Sequence, residues 1–156
     1  MAWAFMAKTE PSLRARAMRF LARREHSRAE LRRKLAPNVP GGEDVEVLLD
    51  DLAKRGWLSD ARFAEISIRS KARRYGPVKL AHELRAKGVD AEAIAAGFRA
   101  AGADGTSHVE AVWATRFKSA PTDERQRGRQ VRFLQARGFR LDEVLRFLRQ
   151  MEREKT

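Results

Sequence analysis

The stretch Leu84-Arg85-Ala86-Lys87-Gly88-Val89, followed by Ile94 and Phe98, returns fifty residues later as Leu134-Gln135-Ala136-Arg137-Gly138-Phe139, followed by Val144 and Leu148. Two stretches that agree in residue type and internal spacing are one structural unit used twice. A weaker third copy lies upstream, where Leu35, Val45 and Leu49 stand about one repeat length before Leu84, Ile94 and Phe98. The matched glycines, Gly88 and Gly138, fall where a helix ends in a left-handed residue, a conformation that a β-carbon disfavours. The turn is therefore repeated along with the core. Repeats of this length mean stacked modules that bind something long.

Each module reads as three helices, because apolar residues recur at helical spacing and strand alternation is nowhere sustained. Ser12 caps a helix with Leu13, Ala17, Phe20 and Leu21 on one face, and Ser27 with Glu30 forms a capping box for a second. Pro37 to Gly42 breaks the chain ahead of a third, striped by Val45, Leu48, Leu49 and Leu52 and stopped at Gly56. The second module opens at Asp60. Ala61, Ala64, Ile68, Ala72 and Tyr75 lie along one face up to Gly76-Pro77, where the proline starts the next helix. Asp90 caps the last helix of that module, which carries Ile94 and Phe98 and stops near Gly102. In the third module, Ser107 with Glu110 and Asp123 with Gln126 form capping boxes, and Val144, Leu148 and Met151 stripe the final helix. The expected fold is all-α, with three tandem three-helix modules over 12–58, 59–102 and 103–156 behind a loosely ordered tail, 1–11. A three-helix unit of this size buries little surface, so packing between modules is expected to supply part of the stability.

Lys and Arg number 33 against 21 Asp and Glu, a net charge of +12. The excess is evenly shared: 11 basic and 7 acidic residues in 12–58, 9 and 5 in 59–102, 12 and 8 in 103–156, so each module carries +4. An even share predicts a basic surface running along the array, and hence a partner that is polyanionic or bound to a polyanion. With no cysteine there is neither disulfide nor thiolate metal site, which favours the reducing cytoplasm. No run approaches the roughly 20 apolar residues of a membrane span. No membrane partner is expected, and Met1 to Ala7 lacks the pattern of a signal peptide.

Two arginine rows concentrate that charge. Arg62, Arg69 and Arg73, at offsets of 0, 7 and 11, share a helix face away from the Ala64, Ile68 and Ala72 stripe, with Lys71, Arg74 and Lys79 flanking the Gly76-Pro77 turn. Arg125, Arg129 and Arg132, at offsets of 0, 4 and 7, form the second row. Guanidinium forks present several fixed donors, which suits phosphate or carboxylate contacts. These nine residues are the candidate partner-binding or DNA-binding set. Among the aromatics, Trp113 and Phe63 occupy the same place in their repeats and read as core, Trp57 reads as an anchor between modules, and Trp3 as an exposed ring able to stack on a base.

Catalysis finds little support. His26, His82 and His108 lie on different elements without metal-ligand spacing, Asp50 and Asp51 read as a solvated helix edge, and no glycine-rich loop ends in Lys-Ser or Lys-Thr. No nucleophile has an evident base. No catalytic residue, metal or cofactor is expected, and the chain reads as a binding protein rather than an enzyme.

The stretch Leu58-Ser59-Asp60-Ala61-Arg62-Phe63-Ala64, then Gly76-Pro77 and Glu83-Leu84-Arg85-Ala86-Lys87-Gly88-Val89, resembles the central signature of the bacterial RecX regulatory proteins. Leu21-Ala22-Arg23-Arg24-Glu25-His26-Ser27 with Glu30-Leu31 and Lys34-Leu35, and Phe133-Leu134 with Arg137-Gly138-Phe139, are similar to the flanking modules. The resemblance covers nearly the whole chain beyond residue 12. It implies an elongated, curved array that binds RecA nucleoprotein filaments on single-stranded DNA and modulates RecA, mainly inhibiting its ATPase, strand exchange and SOS co-protease activity. It transfers no catalytic residue, and a monomer is expected. The other function open to such a chain is direct recognition of single- or double-stranded DNA through arginine-rich helices.

Overall fold

The computed structural model describes residues 10–103 and 105–156, apart from the side chains of Thr106 and Ser107. Among the described residues there are nine helices and no strand: α1 (Leu13–Arg23), α2 (Arg28–Leu35), α3 (Val45–Lys54), α4 (Asp60–Lys71), α5 (Pro77–Ala86), α6 (Ala91–Ala101), α7 (Thr106–Trp113), α8 (Glu124–Ala136) and α9 (Leu141–Glu154). The N-terminal tail and its Trp3 fall outside the described residues, save for Glu10 and Pro11. The backbone divides into two compact units, one ending at Ser59 with α1–α3 and one over Asp60–Thr156 with α4–α9.

The helix starts follow short-range chemistry. Ser12 Oγ accepts the Ala15 N–H at 3.1 Å, Asp90 the Ala93 N–H at 2.8 Å and Asp123 the Gln126 N–H at 2.8 Å. Ser27 and Glu30 exchange side-chain to backbone bonds in both directions. Each bond satisfies a first-turn donor that has no partner within the helix. Gln126 departs from the expected box, because its Oε1 accepts from the Thr122 N–H and hydroxyl, each at 3.0 Å. That contact tightens the loop ahead of α8. Asp44 takes the Glu46 and Val47 N–H groups and caps α3. Helix α7 begins at Thr106 after Gly105, so Ser107 already stands inside the helix rather than before it.

Each helix triplet has its own apolar cluster. Leu13, Leu31, Leu35, Leu49 and Leu52 anchor the first, Phe63, Ile68, Leu80, Leu84 and Ile94 the second, and Val109, Trp113, Leu134, Val144 and Leu148 the third. Repeat partners take equivalent places, with Leu84 and Leu134, Val89 and Phe139, and Ile94 and Val144 all buried. Full burial of one such side chain contributes roughly 1.5–3 kcal/mol. Where α4 and α6 cross, a β-carbon on Gly97 would stand 2.7 Å from Ala64 Cβ. Trp57 is 44 % exposed, with the Arg55 guanidinium 5.3 Å from its ring.

Within the second unit, main-chain atoms join the turn between α4 and α5 to the turn between α8 and α9. The Gly76 N–H donates to Arg137 O at 2.7 Å and the Val78 N–H to Gly138 O at 2.9 Å. The two strands of chain approach so closely that a β-carbon on Gly76 would lie 2.6 Å from Gly138 O, and one on Gly138 2.6 Å from Lys79 Cβ. Gly138 also has φ 103°, so both its conformation and its surroundings require glycine. His108, buried beside this joint, has Nε2 2.8 Å from Tyr75 O and Nδ1 3.1 Å from Ala103 O, with its ring edge-on to Phe139.

Candidate polyanion interface

Equal formal charge does not give equal availability. In the first unit Arg14 and Arg55 pair with Asp51, Arg28 with Glu46 and Asp50, Arg32 with Glu46, and Arg24 with Glu30. Asp50 and Asp51 are thus ion-pair partners, not a bare solvated edge. Hydrogen bonds from Arg32 and then Arg28 hold the Glu46 carboxyl down to about 2. The Arg14 hydrogen bond is the main cause of a lowered Asp51 pKa. His26, also in this unit, is 1 % exposed and burial pushes its pKa down. Its Nδ1 lies 3.0 Å from Arg24 O and its Nε2 2.9 Å from Lys34 Nζ, an arrangement that suits a neutral ring donating through Nδ1 and accepting through Nε2.

All nine candidate residues stand in the second unit. Arg69 is held by its own fold: it forks onto Glu65 at 3.0 and 3.1 Å and donates to Ala100 O at 2.6 Å, tying α4 to α6. Lys71 donates to Glu83 at 2.8 Å, and that bond lowers the Glu83 pKa. Arg62 is half-buried. Because α4 stops at Lys71, Arg73 leaves the expected helical row and stands exposed in the following turn, beside Arg74, which flanks that turn as expected. On α8, Arg125, Arg129 and Arg132 are exposed as their spacing predicts. The Arg132 guanidinium lies back over Gly128, 3.1 Å from where a β-carbon would be.

Aromatic rings organise part of this charge. Lys79 Nζ lies 4.2 Å from the Tyr75 ring centre, with the Arg74 and Arg137 guanidinium carbons at 5.8 and 5.9 Å. Arg137 also stands 5.0 Å from the Phe133 ring, and Arg116 lies 5.6 Å from that same ring. Cations and rings therefore alternate from Arg116 through Phe133, Arg137 and Tyr75 to Lys79. The main-chain joint places this ladder, since the carbonyl that accepts from Gly76 belongs to Arg137. Contact with a ring restrains each cation, Arg137 is further held by donating to Arg74 O at 3.4 Å, and donors ordered in advance lose less entropy when an anion binds.

Arg116 and Arg137 are absent from the spacing-based rows. Arg137 has one sequence signal, its repeat position before Gly138; its counterpart Lys87 likewise lies 5.6 Å from an aromatic ring, that of Phe63. Among the described residues, no group of three His, Asp or Glu could hold a metal ion, and no helix is long and apolar enough to cross a membrane.

Comparison with known proteins agrees with this architecture. The family models for the second and first three-helix domains of RecX match residues 59–97 and 14–38. The chain is similar to "Regulatory protein RecX" of Ralstonia nicotianae, with 46 % identity over 128 residues covering 82 % of this chain and 80 % of the relative. It is 40 % identical over 151 residues to the protein of the same name from Leptothrix cholodnii, covering 96 % of each. Its fold matches the crystal structure of RecX from Lactobacillus salivarius with a TM-score of 0.74 at 17 % identity, covering 90 % of this chain and 94 % of that one. These relatives are named as regulatory proteins, not enzymes. With its helix triplets, its repeat and this level of identity over most of its length, the chain belongs to the RecX family of regulatory proteins.

Proposed function

We propose that this chain binds RecA nucleoprotein filaments on single-stranded DNA and restrains RecA ATP hydrolysis, strand exchange and SOS co-protease activity. The observation that carries the proposal is the ladder of Arg116, Phe133, Arg137, Tyr75 and Lys79 in a chain of the RecX family. Carboxylates engage many arginines of the first unit, whereas Arg73, Arg74, Arg129 and Arg137 form no ion pair among the described residues. A filament offers both DNA phosphate and acidic protein surface to such cations. The chain works by occupancy, blocking the filament groove or its growing end, and needs no catalytic residue.

The test adds purified protein, below one per RecA, to preformed filaments and follows ATP hydrolysis, filament length and strand exchange. Inhibition is expected, and it should weaken in Arg73→Glu/Arg137→Glu while helix content stays the same. Unchanged hydrolysis, length and exchange with the wild-type protein would remove the proposal. A second reading, direct DNA binding, is favoured by the same alternation of cation and ring, which suits single strands. It requires affinity for naked DNA equal to that for RecA-coated DNA at matched salt, with a steep salt dependence.

A further inference from the structure

Arg116, at one end of the ladder, also lines a cavity of about 250 Å³. The loop between α7 and α8 supplies Arg116, Lys118 and Ser119 to it, and α8 supplies Gln126 and Arg129. Three cations thus converge on one recess whose lining contains no carboxylate. The acids at the start of α8 are engaged elsewhere: Asp123 accepts the Gln126 N–H and Glu124 lies 3.5 Å from Arg127.

The recess is held open by buried hydrogen bonds. Gln130, 4 % exposed, accepts from Trp113 Nε1 at 2.8 Å and donates through Nε2 to Ser119 O at 3.1 Å, so both ends of its amide pin the loop to the core. Stacking on Phe133 orients Arg116. The Gln126 Oε1 is taken by Thr122, which leaves the Gln126 NH2 to donate. Charged and neutral donors consequently reach the recess from two separate elements. One planar carboxylate is matched by a single guanidinium fork, whereas donors converging from several directions fit the tetrahedral oxygens of a phosphate.

We propose that this recess binds a phosphate group, of the kind carried by a nucleic-acid strand or by a free nucleotide. Arg129 and Lys118 supply the charge, Arg116 a stacked fork, and Gln126 a neutral donor. The site does not depend on RecA.

The test is an NMR titration of the isotopically labelled full chain at constant ionic strength. Sodium phosphate is expected to shift the Arg129 Nε–H and the Lys118 and Ser119 amides to saturation. Lys118→Gln/Arg129→Gln should weaken that response at least about tenfold, since charge-assisted bonds are the strong ones. Arg129→Lys should retain part of it. A short oligothymidylate and adenosine monophosphate, compared at equal phosphate concentration, separate the two sources: tighter saturation by either one supports the site and names its ligand. Shifts spread evenly over distant surface arginines such as Arg146 and Arg149, an undiminished response in the double variant, or an equal response to acetate would overturn it. Filament inhibition that persists in a protein failing this titration would refute the phosphate site alone and leave the RecA proposal standing.

Discussion

Replacing Gly138 by alanine tests whether the main-chain joint carries weight. The new β-carbon meets Lys79 Cβ at 2.6 Å and Lys79 N at 2.8 Å, and the residue must keep φ 103°. Left-handed strain costs about 1–2 kcal/mol. Overpacking adds about 1–3 kcal/mol if the chain stays in place. If the chain moves instead, the bonds from Gly76 and Val78 weaken at about 1 kcal/mol each. The loss should therefore be about 2–5 kcal/mol, a large part of the roughly 5–15 kcal/mol that holds a typical domain together. Gly102→Ala in the same unit is the control, because Gly102 has φ 65° but nothing within 4 Å of its would-be β-carbon, so it carries the strain alone. Urea unfolding followed by circular dichroism and by tryptophan fluorescence, in a Trp57→Phe background so that the buried Trp113 dominates the change, reads both variants. Equal shifts in midpoint for the two would refute the joint.

Other expectations concern charge. His26 has a lowered folded pKa, so stability should be full above the ordinary value of 6.5 and fall as the pH drops through 6.5 towards the lowered one, a step that His26→Asn would remove from a pH series of unfolding curves. The Glu46 pair should hold from neutral pH down to about 4.5 and be lost as the pH falls further towards 2, separately from the histidine step. Arg69→Gln should lower stability by about 1 kcal/mol through the lost Ala100 and Glu65 bonds, whereas Arg73→Gln should leave stability within about 0.5 kcal/mol and act on binding. Thermal melts paired with filament-binding assays separate the two; a destabilised Arg73→Gln or an unaffected Arg69→Gln would contradict the assignment.

What could be read from the chain was what acts over a few residues. Ser12, Ser27, Asp90 and Asp123 cap helices because each acceptor stands three residues before its donor, and Leu84 and Leu134 share a core role because the period places them alike. The arginine rows were legible only as faces. Offsets of 0, 7 and 11 place Arg69 on the outside of α4 but do not say that Ala100, 31 residues on, offers it a carbonyl. The Gly76–Gly138 approach and the stacking of Arg137 on Tyr75 lie 62 residues apart, and they depend on how helix triplets dock, which no local pattern encodes. Arg116 carries no local signal for the same reason, since its ring partner Phe133 lies 17 residues on in α8.

A joint made of amide and carbonyl groups is indifferent to what its neighbours carry at their tips. The hydrogen bonds from Gly76 and Val78 ask only that two glycines stay small. Around them, surface arginines other than Arg137, whose guanidinium donates to Arg74 O at 3.4 Å across the same joint, can be exchanged without touching these two bonds. The scaffold is therefore set by backbone atoms, and substitutions at the exposed tips can retune the charge it presents while the backbone stays constant.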